Sequence, residues 1–140
     1  MTKQSKEQKK IAIIGGGPGG LTLALILQQK GINVTIYERE AYDKNTERGG
    51  SLDIHEETGQ LALKEAGLFD QFLSKARFEG EDFRLFDKTG KIYLDETAEE
   101  DAQGTRPEID RGELCALLLD AVDKDCIKYG YKLKKCVSLE

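Results

Sequence analysis

Apolar positions along this chain fall in short blocks, and the spacing within each block predicts an element. Ile11-Ala12-Ile13-Ile14 is an unbroken apolar run that stops at Gly15, the pattern of a strand buried on both faces. From Pro18 to Lys30 the chain carries Leu21, Leu23, Ala24, Leu25, Ile26 and Leu27, with Pro in the first turn and Gly31 just past the end. That predicts a helix. Its middle is apolar nearly all round, so it is expected to lie between a sheet and another layer. Asn33-Val34-Thr35-Ile36-Tyr37 is rich in β-branched residues and predicts a second strand ending at Glu38. Strand, glycine turn, helix and strand make a compact βαβ unit.

Farther along, Arg39 to Gly50 shows neither period and reads as a loop. After Ser51-Leu52-Asp53-Ile54, a helix is expected from about Glu56 to Ala66, closed by Gly67, then a short one with Leu68, Phe69, Phe72, Leu73 and Ala76 on one face. Phe83-Arg84-Leu85-Phe86 and Lys91-Ile92-Tyr93-Leu94 flank Asp87-Lys88-Thr89-Gly90, a hairpin signal. Asp95 to Gln103 is acidic and reads as a solvated loop. Leu114, Leu117, Leu118, Ala121 and Val122 repeat at helical spacing from Arg111 onward, with Asp110 and Glu113 placed as a capping pair. The final stretch, Tyr131 to Leu139, reads as a strand, and no linker divides the 140 residues into two cores.

Composition narrows the class. With 39% hydrophobic and 34% charged residues the chain is globular in character, and its glycine surplus is local, since five of fifteen lie between positions 15 and 20. A net charge of −5 argues against binding to nucleic acid or anionic lipid. Cys115, Cys126 and Cys136 are odd in number and form no C-x-x-C or His-paired set, so they read as reduced thiols rather than disulfides or metal ligands. That points to the cytoplasm. Lys3, Lys6, Lys9 and Lys10 precede the seventeen uncharged residues Ile11 to Leu27, an order that mimics a signal peptide. The glycine-rich interruption would break a spanning helix, so no membrane insertion is expected and residues 1–10 read as a solvated tail.

The chemistry concentrates in Gly15-Gly16-Gly17-Pro18-Gly19-Gly20, a G-x-G-x-x-G between a predicted strand and a predicted helix. In that context Gly15 makes the tight turn, Gly17 admits a pyrophosphate to the backbone, and Gly20 lets the helix approach the sheet. The helix N-terminus offers unpaired N–H groups and the positive end of its dipole. Glu38, twenty-three residues after Gly15, is placed to accept hydrogen bonds from ribose hydroxyls and to repel a 2′-phosphate, which favours FAD or NAD over NADP as the held cofactor. Arg111, in the first turn of a helix, opposes the dipole unless an anion faces it, and either Asp110 with Glu113 or a ligand would serve. His55 is the only histidine and completes no triad or metal set, so it reads as structural.

With these motifs the chain resembles the FAD-dependent aromatic-hydroxylase-type monooxygenases, and within them the tetracycline-inactivating flavin monooxygenases. The resemblance rests on "IAIIGGGPGGLTLALILQQKGINVTIYERE", on "GGSLDIHEETGQLALKEAGL" and on "RPEIDRGEL", in the order the family has them. It implies an α/β, Rossmann-like FAD-binding βαβ unit with a β-hairpin insertion, incomplete relative to the family. It also implies FAD as cofactor and NADPH as reductant, and a small-molecule substrate, a tetracycline or another polycyclic aromatic compound, hydroxylated with dioxygen.

Carried over by position, the resemblance makes Gly15, Gly17 and Gly20 the pyrophosphate turn and Glu38 the ribose acceptor, with Arg39 beside the adenosine end. Asp53 would meet the flavin half, and Arg111 the ribityl-phosphate region. The arginine that the family places before the glycine pair, with a part in meeting NADPH, falls at Thr46, with Arg48 two positions later, and Cys115 stands where a basic residue is common. Residues 11–140 are expected to be the N-terminal part of the FAD-binding domain, without the second flavin motif and the substrate domain, so the isolated chain is expected to be inactive. Two alternatives stay open: another FAD-dependent oxidoreductase, and a non-catalytic nucleotide-binding remnant.

Overall fold

In a computed structural model of the chain, residues 10–41, 49–78, 83–96 and 106–138 are described. The chain divides into two compact units, residues 1–47 with 118–140, and residues 48–117. The second unit is an excursion from the first, which is why no linker marks it in the sequence.

The first unit is built on a parallel sheet. Strands β1 (Ile11–Ile14) and β2 (Val34–Glu38) pair from Ile11↔Val34 to Ile14↔Tyr37, with helix α1 (Pro18–Gln29) as the crossover between them. This is the expected βαβ unit. Its buried side chains are Ile13, Leu21, Ala24, Leu25, Val34 and Ile36, a set that places α1 against one face of the strands. Burial of β1 on both faces is not found: Ile13 is buried, whereas Ile14 is 53% exposed. Nor is α1 enclosed all round, because Leu23 is 47% exposed while the i, i+3, i+4 stripe of Leu21, Ala24 and Leu25 is buried.

The other neighbour of β2 is a strand the sequence pattern does not reveal, Ile127–Tyr129, which pairs parallel through Ile36↔Ile127 and Glu38↔Tyr129. The expected strand over 131–139 is not formed in residues 131–138. Gly130, with φ of +78°, turns the chain out of the sheet, and the Tyr131 amide then donates to the Glu38 carbonyl at 2.9 Å. Alternation of Tyr131, Leu133 and Val137 mimics a strand, but these side chains are exposed and lack a paired partner strand. Leu118, Val122 and Ile127 are buried here, and the Asp123 amide donates to Gln28 Oε1 at 3.1 Å. Burial pushes the Cys126 thiol up from its ordinary value against the opposing hydrogen bond to Gln28. None of the three cysteines forms a disulfide.

The second unit contains an antiparallel pair, β3 (Ser51–Asp53) with Glu108–Asp110, in register Ser51↔Asp110, Leu52↔Ile109 and Asp53↔Glu108. Arg77 extends it by exchanging backbone hydrogen bonds with Glu108 at 2.7 and 2.8 Å. The helix expected from Glu56 begins as a wide turn over Glu56–Gln60 and becomes α2 at Leu61–Glu65. Gln60 is buried, its Nε2 donating to the Ile54 carbonyl at 2.8 Å. In α3 (Phe69–Leu73) the expected apolar face shrinks, since Leu68 and Phe72 are buried but Leu73 is exposed.

The expected hairpin forms from β4 (Phe83–Phe86) and β5 (Ile92–Glu96), so Asp95 and Glu96 belong to a strand rather than to the acidic loop, whose residues 97–103 lie outside the described residues. Asp87 Oδ1 accepts from Thr89 Oγ1, the Thr89 amide and the Lys91 amide at 2.6, 2.8 and 3.2 Å, closing the turn. These donors, the Thr89 hydroxyl first, hold its carboxyl below the ordinary range. With β3 to β5 so numbered, Glu108–Asp110 is β6 and Ile127–Tyr129 is β7. Helix α4 (Arg111–Ala121) follows β6 as the amphipathic pattern predicts, and Leu114, Cys115 and Leu118 are buried. Among the described residues no helix is long and apolar enough to cross a membrane.

Candidate functional site

Between β1 and α1 the chain must reverse within three residues. Gly15 does so at φ of +102°, a region that side chains disfavour, and its amide donates to the Tyr37 carbonyl at 2.9 Å, extending the β1–β2 ladder past the end of β1. Gly20 lies where the first turn of α1 meets this bend. A Cβ there would collide with the Gly15 carbonyl oxygen and stand 3.3 Å from Ile13 Cγ2. Close packing of helix on strand therefore depends on Gly20.

Gly17 is the N-cap of α1, extended at φ −79° and ψ −177°, with no side chain capping the helix and no acidic residue in its first turn. Nothing lies within 4 Å of the place a Gly17 Cβ would take. The helix start thus combines amides that lack intrahelical acceptors with open space before them, an arrangement suited to an anion.

Glu38 reaches this turn from the end of β2. Its Oε2 accepts from the buried Gly16 amide at 2.6 Å, and its Oε1 accepts from the Glu40 amide at 2.8 Å. The carboxylate is therefore fixed beside the glycine turn. Arg39 is exposed and pairs with Glu40 at 3.3 Å.

The remaining predicted site residues belong to the second unit. Asp53 and Arg111 lie at opposite ends of the β3–β6 ladder, the Arg111 amide donating to the Gly50 carbonyl at 3.0 Å. Roughly 10 Å of strand separates them. Asp110 and Glu113 do not face Arg111 as its counter-ions. Asp110 Oδ1 accepts from Arg77 Nη2 at 2.9 Å, and Glu113 Oε1 accepts from Lys75 Nζ at 3.3 Å. The Arg77 hydrogen bond, and then its charge, hold the Asp110 carboxyl below its ordinary value. Among the described residues no carboxylate lies within ion-pair distance of Arg111.

His55 is exposed and borders a surface hollow with Glu56, Glu57, Thr58 and Arg106. Thr46 and Arg48, the positions that the resemblance relates to NADPH, lie outside the described residues. Sequence reasoning passed over Gly16, an unspecified position of the motif, although the side chain that uses its amide, Glu38, was singled out.

Residues 8–122 match the family model described as FAD binding domain. Monooxygenase asqM of Emericella nidulans is 36% identical over 129 residues, 89% of this chain and 28% of that protein. Monooxygenase penA of Penicillium thymicola is 37% identical over 138 residues, 95% of this chain and 30% of that protein. Among solved structures, tetracycline destructase Tet(51) is similar with a TM-score of 0.57 and 27% identity, across 87% of this chain and 30% of that one. The chain spans less than a third of the length of each of these relatives.

Proposed function

The chain belongs to the FAD binding domain family, and from that premise we propose that it is the FAD-binding segment of a flavin-dependent monooxygenase that hydroxylates a tetracycline-like or other polycyclic aromatic substrate with NADPH and dioxygen. The observation that carries the reading is the open, uncapped N-terminus of α1 with the Glu38 carboxylate held 2.6 Å from the Gly16 amide beside it. That pair of features fits the two ends of an adenosine diphosphate, the diphosphate on the helix amides and the ribose on the carboxylate.

In this reading Gly15 and Gly20 set the backbone of the turn, Gly17 leaves room for the pyrophosphate, Glu38 accepts the ribose hydroxyls and Arg39 flanks the adenosine. Asp53 meets the flavin half and Arg111 supplies the cation for a phosphate. The flavin, when bound, supplies the redox chemistry that couples NADPH and dioxygen to hydroxylation. The protein's part is to hold and orient the cofactor and to keep water from the reacting atoms. Cytoplasmic action suits three cysteines outside any disulfide. Residues 1–140 by themselves are expected to hold FAD weakly and to be inactive, in keeping with Ile14 and Leu23 standing exposed around a half-covered sheet.

Supplying the full-length protein with NADPH, a tetracycline and isotopically labelled dioxygen tests the reaction. One labelled oxygen atom is expected in the product, as read by mass spectrometry. NADPH oxidation that leaves the tetracycline unlabelled and yields only hydrogen peroxide would exclude tetracycline as the substrate, and the same result across a panel of polycyclic and smaller aromatic compounds would make the protein a flavin reductase or oxidase.

A further inference from the structure

Glu38 does not reach the glycine turn by chance of side-chain rotation. Its Oε2 is fixed by the Gly16 amide, donated from a buried backbone position, and its Oε1 by the Glu40 amide. From the far side of β2, the Tyr131 amide holds the Glu38 carbonyl at 2.9 Å, and the Tyr131 ring meets Tyr37 edge to face at 5.7 Å between centroids. Backbone and side chain of Glu38 are thus located from three directions. Residue 16 is the tightest of them. A Cβ at Gly16 would stand 3.2 Å from Glu38 Oε2 and 3.3 Å from Glu38 Cβ, close enough to push the carboxylate away.

We propose that Gly16 is a specificity-determining residue, whose amide and missing side chain together orient the Glu38 carboxylate toward the ribose 2′-hydroxyl of the adenosine half of the cofactor. This rests on the reading of Glu38 as the ribose acceptor. Gly16 is a positioning residue, since it acts through Glu38. A hydroxyl that donates to an ionised acceptor needs that acceptor in a fixed direction, and a carboxylate displaced and turned by the added methyl keeps its charge but makes a weaker, misaligned hydrogen bond.

Competition with FAD on the deflavinated full-length protein, using ADP and 2′-deoxy-ADP as probes, tests the proposal. The wild type is expected to prefer ADP by about tenfold or more, the effect of one hydrogen bond to a charged group. Gly16→Ala is expected to bring the two nucleotides to within about twofold by weakening ADP alone. A variant that keeps the wild-type preference, or weakens both nucleotides alike, would overturn the proposal and make Gly16 merely part of the turn. A wild type without any preference would fail at an earlier step, by removing Glu38 from the ribose.

If thermal unfolding shows that Gly16→Ala does not fold, the Gly16 amide proton in isotope-labelled protein decides. It is expected far downfield in the wild type and displaced upfield in Glu38→Gln. A Gly16 resonance indifferent to Glu38→Gln would refute the positioning role.

Discussion

Single glycines in the turn differ in what they do, and the difference can be measured. At Gly20 an added methyl meets the Gly15 carbonyl and the Ile13 side chain, so Gly20→Ala must force α1 off the strand. A loss of at least about 1–3 kcal/mol is expected, the usual cost of overpacking a close contact. Urea unfolding of the variant checks this, and unchanged stability would show that the turn yields where the structure says it cannot. The tight turn at Gly15 and the close helix approach at Gly20 were legible in the sequence because each is a property of the local backbone. The role of Gly16 was not, since it depends on a carboxylate twenty-two positions away. Arg111 stood between these cases. Its conflict with the helix dipole could be read from position alone, but only the structure assigns Asp110 to Arg77 and Glu113 to Lys75.

Among elements, those defined by turns and caps emerged as expected, and those whose burial depends on a second layer did not. The βαβ unit, the hairpin at Asp87–Gly90 and the helix after Asp110 are marked by glycine, proline and helical spacing. An apolar run such as Ile11–Ile14 states only that burial is available to it, and here one face is used. The β7 strand is three residues long, Ile127-Lys128-Tyr129, too short to show a period, and it exists because β2 offers it an edge.

The β3–β6 pair supports a pH prediction. Asp110 is held below its ordinary value by the Arg77 hydrogen bond and charge, and Arg77 is held above its own chiefly by the same hydrogen bond. A carboxyl with a lower folded than unfolded value adds stability above the unfolded value, near pH 4, and loses it as pH falls through the folded value. Acidification below about pH 4 is therefore expected to weaken this pair. The Asp110 carboxyl resonance should titrate at higher pH in Arg77→Gln than in the wild type, and coincident titration curves would show that the pair is not maintained in solution.

Across the whole molecule the candidate cofactor residues are divided between two units, with Gly15, Gly17, Gly20, Glu38 and Arg39 in the first and Asp53 and Arg111 in the second. The βαβ unit that carries the proposed adenosine end was legible because it is one continuous segment. The assignment of Asp53 and Arg111 to a flavin end rests on resemblance alone, since they sit at a strand end and a helix start with no period of their own. Gly17 is the position where stability and cofactor binding separate most cleanly. Nothing lies within 4 Å of its Cβ site, and its φ of −79° suits any residue. A side chain there should cost the apoprotein no more than about 1 kcal/mol as a poorer N-cap, yet fill the space before the helix amides. The decisive measurement is FAD affinity of the full-length protein and its Gly17→Val variant by quenching of flavin fluorescence, with apoprotein melting recorded alongside. The account expects a loss of at least about tenfold, or about 1.4 kcal/mol, with nearly unchanged melting. Wild-type affinity in a well-folded Gly17→Val would contradict the placement of the pyrophosphate at this turn.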